Sequence, residues 1–174
     1  MKKILIFIIF IIAIMFVVKD VTAKEIIVPD EAIRLRILAN SNSPHDQYIK
    51  QKVREKVEYQ MGTILSRTNS IDDARDKLKK SVKPLSNIIE EILEEEKEKI
   101  DFDINYGYHY FPSKEYKGIV YNEGYYESLL VIIGKGEGNN WWCVLFPPLC
   151  LIEAEEATDV EYKFFVQELI EKIF

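Results

Sequence analysis

Cys143 and Cys150 are the only cysteines in this 174-residue chain, and His45 and His109 are its only histidines. A thiol nucleophile needs a base within hydrogen-bond reach and a third group to orient that base. His109 is the candidate base for either thiol, but no orienting partner and no known local signature accompanies it. The two cysteines stand seven residues apart across Pro147-Pro148. Outside the cytoplasm such a pair closes a disulfide around the turn; the equal alternative is two buried thiols acting as small apolar groups. Two cysteines and two histidines without close ligand pairs do not make a zinc site. There is no His-Glu-x-x-His and no Gly-x-Ser-x-Gly. No metal, no cofactor and no catalytic residue is therefore expected.

Gly134-Lys135-Gly136-Glu137-Gly138 suggests a phosphate loop. It lacks the Gly-Lys-Ser/Thr ending, and a strand pattern follows it, not a helix whose N-terminus would hold an anion. Alternate glycines more simply let a strand-to-strand loop take positive φ. Both tryptophans of the chain, Trp141 and Trp142, follow this loop. Adjacent strand residues face opposite ways, so one should enter the core and the other point outward. Val144 and Phe146 share a parity with Trp142, so Trp142 is expected inside and Trp141 outside. Trp141, Tyr110 and Phe111 are then the candidate partner-binding residues, as aromatic anchors of a docking surface.

These residues need elements to hold them. Ile33, Leu35 and Ile37 alternate with Arg34 and Arg36, which predicts a half-buried strand over 32–39. Both arginines are expected on its solvent side, pairing with carboxylates and not forming an anion site. Ser43-Pro44 opens a helix to about Ser66, with Ser43 as N-cap. Ser70 caps a second helix. Pro84 is expected to break or kink it, so that a third helix starts at Leu85. Alternating aromatics over 102–110 and apolar runs over 127–133 and 141–146 predict strands, with a further one over 116–121. The spacing of Phe164, Phe165, Leu169, Ile170 and Ile173 predicts a helix over 161–174. The fold class is α+β: an antiparallel sheet packed with several helices, in a single domain over 24–174.

Residues 1–23 form a segment of their own. Lys2-Lys3 precede the apolar run Ile4–Val18, and Val21-Thr22-Ala23 offers small residues for a signal peptidase. This is the pattern of a signal peptide cleaved after Ala23; an uncleaved membrane anchor is the rival reading. As a helix the run rises about 22 Å, short of a hydrocarbon core of ~30 Å. The whole chain carries a net charge of −6. Loss of 1–23 makes it −8. An acidic chain without a basic stripe is ill suited to nucleic acid or anionic lipid.

Three stretches resemble one family, the stage II sporulation protein R family. Asp30-Glu31-Ala32-Ile33-Arg34-Leu35-Arg36-Ile37-Leu38-Ala39-Asn40-Ser41-Asn42-Ser43-Pro44 resembles its opening motif, and Phe111-Pro112-Ser113-Lys114-Glu115-Tyr116 its second. The run from Ile133 through Trp141-Trp142-Cys143 to Pro147-Pro148-Leu149-Cys150 resembles its signature. The resemblance implies a non-enzymatic signalling protein of endospore formation. Such a protein is secreted across the forespore membrane into the intermembrane space. There it activates a membrane-embedded aspartic protease of the mother cell, which processes pro-sigma-E. No nucleic acid and no small-molecule substrate is expected. The alternative from another class is a secreted thiol-dependent enzyme acting on cell-wall or protein substrate.

Overall fold

The computed structural model describes residues 26–27, 29, 31–116, 119–149, 167–168 and 170–172. The elements in chain order are β1 (Ile26–Ile27), β2 (Ile33–Leu38), α1 (Pro44–Leu65), α2 (Ile71–Glu95) and β3 (Phe102–Phe111). They continue with β4 (Lys114–Tyr116), β5 (Ile119–Tyr121), β6 (Gly124–Ile133) and β7 (Asn140–Phe146). The 1–23 segment lies outside the described residues, as does most of the predicted C-terminal helix, of which 167–168 and 170–172 are helical.

α1 begins where its cap dictates. The Ser43 hydroxyl accepts the Asp46 N–H at 3.0 Å, and Pro44 occupies the first turn, where a missing N–H costs nothing. Ile49, Val53, Val57, Met61 and Leu65 recur every four residues and are all buried. α2 repeats the design, with the Ser70 hydroxyl accepting the Asp73 N–H at 3.2 Å. A cap contributes about 1 kcal/mol, whereas each fully buried aliphatic side chain contributes about 1.5–3 kcal/mol. The stripes therefore hold the helices, and the caps set where they start.

The same comparison corrects the expected break at Pro84. α2 runs unbroken through it, so the predicted second and third helices are one. A proline inside a helix costs about 3 kcal/mol. Leu85, Ile89, Ile92 and Leu93 beyond it are buried against the sheet, and their burial outweighs that cost. Pro84 itself lies on the exposed side, where water can reach the carbonyl that loses its N–H partner.

The main sheet has the order β3-β6-β2-β7. It is α+β, as expected, and mostly antiparallel, but its central pair β2–β6 is parallel, with Ile37 beside Val131. A smaller sheet, β1-β5-β4, flanks it. Ile33, Leu35 and Ile37 of β2 pack with Leu129, Val131 and Ile133 of β6 and with the stripes of α1 and α2 in one apolar core. The helices thus cover one face of the sheet. Strand alternation sends the intervening residues to the other.

Candidate functional site

The face of the sheet turned away from the helices concentrates cations and aromatic rings. Arg34 is 2% exposed, and its guanidinium lies 3.4 Å from the Tyr126 ring centroid, 5.3 Å from Phe111 and 5.8 Å from Tyr121. This corrects the expected solvent position of Arg34. Tyr121 of β5 and Phe111, at the end of β3, close over that part of the face. A desolvated guanidinium over an aromatic ring contributes about 2 kcal/mol. Arg36, one step along, is half-buried. Its Nη1 donates to the Tyr110 carbonyl at 3.4 Å and its guanidinium sits 5.8 Å from the Trp142 ring, so a backbone oxygen and a ring stand where carboxylates were expected. Burial pulls the Arg36 pKa below its ordinary value. Trp142 also meets Phe111 edge-on at 5.8 Å and Lys114 Nζ at 5.3 Å.

His109 shares this face. Its Nδ1 lies 2.7 Å from Ser128 Oγ, and that hydroxyl donates to the Tyr126 carbonyl at 3.2 Å. Ser128 is fully buried, so the pair resembles a serine–histidine nucleophile only in composition. Burial, helped by the neighbouring Arg36 charge, lowers the His109 pKa.

Two loops lock together at one end of the sheet. Gly134 and Gly136 have φ of +57° and +65°, the left-handed conformation that glycine adopts without a Cβ penalty. Every backbone N–H from Gly134 to Asn139 is donated to a protein acceptor. Gly134 donates to the Asp101 carbonyl at 2.7 Å, Gly136 to Ile133, Glu137 to Asn40 and Gly138 to Ala39. Lys135 donates to Asn40 Oδ1 at 3.1 Å and Asn139 to Asn42 Oδ1 at 2.7 Å. No amide of the loop is left for a phosphate. Asn40 Nδ2 donates in turn to Asp46 at 3.1 Å, and Ser41 Oγ donates to the same carboxylate. These hydrogen bonds, Ser41 first, hold the Asp46 pKa below the usual carboxylate range. Lys50 Nζ closes the lock on the Asn139 carbonyl at 2.9 Å. The Asn40-Ser41-Asn42 turn and the glycine loop are therefore one device, which fixes how β7 enters beside β2.

The tryptophans alternate as expected but in the opposite sense. Trp142 pairs with Arg36 on the outer face, while Trp141 pairs with Ile37 on the helix face. There Trp141 packs against the main core, its ring 4.4 Å from the Arg54 guanidinium. Both tryptophans are half-buried. Phe146 misled the assignment, because an irregularity between Ile33 and Arg34 shifts the register and returns Phe146 to the helix face. Phe111 is 1% exposed, which removes it from any docking surface. Tyr110 is 46% exposed and stacks edge-on with Tyr125 at 5.6 Å.

Cys143 is disulfide-bonded; Cys150 lies outside the described residues. Cys143 pairs with Leu35 on the helix face of β7, whereas His109 lies on the outer face of β3. These strands are the two ends of the sheet, three spacings or about 14 Å apart. The arrangement separates the one thiol–imidazole pair of interest by both distance and face. Among the described residues no group of three or more His, Cys, Asp or Glu is placed to hold a metal ion, and no helix is long and apolar enough to cross a membrane. Sequence reasoning missed the Arg34 cage and the buried Ser128, because both depend on partners far away in the chain: Phe111, Tyr121 and Tyr126 around Arg34, and His109 beside Ser128.

The arrangement is an aromatic and cationic sheet face on a scaffold pinned by two interlocked loops. The profile of one family, described as Stage II sporulation protein R, matches residues 29–156. The chain is also 39% identical over 140 residues to Stage II sporulation protein R of Bacillus subtilis (strain 168). That alignment covers 78% of this chain and 62% of the relative. No solved structure matches. The chain belongs to the stage II sporulation protein R family.

Proposed function

We propose that this chain is a secreted signal of endospore formation. It leaves the forespore behind a signal peptide and switches on a membrane-embedded aspartic protease that processes pro-sigma-E. The family match over residues 29–156 carries this reading. It acts by binding and not by catalysis, a mode that suits a half-buried Trp142 flanked by Arg36 and Lys114. A disulfide at Cys143 suits an oxidising compartment outside the cytoplasm. The experiment is addition of the purified 24–174 chain to membranes that contain the protease and its pro-sigma-E substrate. Cleavage should appear with the chain and be absent without it. Cleavage that ignores the chain, or an added chain that leaves the substrate intact, would overturn the reading.

A further inference from the structure

We propose that two copies of this chain join edge to edge through β3, antiparallel, about a two-fold axis passing through Tyr106. The observation behind it is an unguarded sheet edge. β3 pairs with β6 residue for residue over its whole length, without a register shift, and among the described residues it pairs with nothing on its other side. Natural sheet edges are usually blunted by lysine, proline, bulges or short length. β3 is ten residues long, contains no lysine or proline, and carries one full charge, Asp103. β7, at the opposite end, is guarded by its register irregularity and by Pro147-Pro148.

The occupant follows from the sequence of the edge itself. In an antiparallel pairing that sets Tyr106 opposite its own copy, Asp103 faces His109 and Asn105 faces Gly107 on the outer side. On the helix side, Phe102 faces Tyr110 and Ile104 faces Tyr108. Asp103 meets an imidazole, Phe102 and Ile104 each meet a tyrosine, the small Gly107 leaves room for Asn105, and the two-fold repeats each pair. A slip by one residue would turn the helix face of one copy toward the outer face of the other. A slip by two in either direction sets Asp103 against Gly107 or against Phe111, with no basic group opposite. Asp103, Asn105 and Tyr108 are exposed, Tyr108 by 68%, and His109, Phe102 and Ile104 are half-buried, so each pairing group retains accessible surface. The joined β3 strands would make one eight-stranded sheet across both copies.

The test is sedimentation of the purified 24–174 chain over a wide concentration range, with the Cys143 disulfide kept intact. A reversible dimer is expected. Asp103→Lys should weaken it by about tenfold, and adding His109→Asp should restore it by reversing the pair. Crosslinking fixes the register without relying on those side chains. An equal mixture of Asn105→Cys and Gly107→Cys chains should form a disulfide-linked dimer under mild oxidation, and neither variant alone should. A chain that stays monomeric at every concentration, or a dimer untouched by Asp103→Lys and uncrosslinked in the mixture, overturns the proposal. So does protection of β3 amides from hydrogen exchange only when the protease is added, which would give the edge to a different partner.

Discussion

Glu127 on β6 takes Arg75 of α2 at one carboxylate oxygen and Tyr106 of β3 at the other, with Arg75 Nε at 2.7 Å and the Tyr106 hydroxyl at 2.8 Å. Glu127 is 8% exposed. It ties the second helix to two strands at the border between the apolar core and the tyrosine-rich end of the sheet. Burial, with the Glu127 hydrogen bond, raises the Tyr106 pKa far above its ordinary value, and the Glu127 bond raises that of Arg75.

Removing Glu127 leaves the Arg75 charge and the Tyr106 hydroxyl without this partner. Glu127→Ala is expected to cost about 3 kcal/mol, and Tyr106→Phe about 1 kcal/mol, in urea denaturation. Equal losses would mean that the carboxylate does not hold the cluster.

Gly138 lies against the Ser41 backbone, and a Cβ there would overlap the Ser41 carbonyl oxygen. A Cβ at Gly107 would meet the flexible end of Asn105 at 3.2 Å and the His109 ring at an ordinary 3.9 Å. Gly138→Ala should therefore destabilise the domain by more than about 2 kcal/mol, within the range seen for overpacked sites. Gly107→Ala should stay within about 1 kcal/mol of the parent. Thermal melts of the two variants would show the difference, and similar melting points would dissolve the claim that the two loops interlock.

Trp141 packs on the core and Trp142 on the outer face. Trp141→Ala is expected to cost about 3 kcal/mol or more. Trp142→Ala should cost less and, under the proposed function, reduce pro-sigma-E processing more than its stability loss explains. Melts paired with a processing assay in sporulating cells decide it. Equal stability loss with proportionate loss of processing would leave Trp142 a packing residue only.

The two histidines should titrate in opposite directions from the ordinary 6.5. The Glu98 hydrogen bond at 2.5 Å raises His45, and burial lowers His109. The raised His45 stabilises the fold below pH 6.5, and its contribution disappears as pH rises through its folded pKa. The lowered His109 works the other way. Below pH 6.5 the unfolded chain takes up its proton more readily, so stability falls with pH from that side. Imidazole resonances followed by NMR across this range would show both shifts, and Glu98→Gln should return His45 toward 6.5.

Much of the scaffold was legible because local rules and burial agree. Ser43 and Ser70 cap helices whose four-residue apolar spacing points one way, and Ile33, Leu35 and Ile37 alternate on a strand that buries one face deeply. What escaped depends on distant partners. Pro84 was read by its local penalty, when the buried residues beyond it decide. Trp141 and Trp142 were read by parity with Phe146, across a register shift that only the pairing with β2 reveals. Arg34 looked solvent-facing because nothing in its own segment predicts that Tyr121, far along the chain, comes to sit over it. The parallel pairing of β2 with β6 left no local signature at all.

That parallel pair sets the order in which the molecule can assemble. Ile37 finds Val131 on one side and Trp141 on the other, so the strand at the heart of the sheet waits for residues far downstream in the chain. Closing so long a loop is entropically slow, and no early hairpin can stand in for it. A chain emerging amino end first, from a ribosome or through an export channel, holds its first half as unsheltered helices and an orphan strand until residue 146 arrives. Until β7 is available it stays open and threadable, and it then folds in one late step.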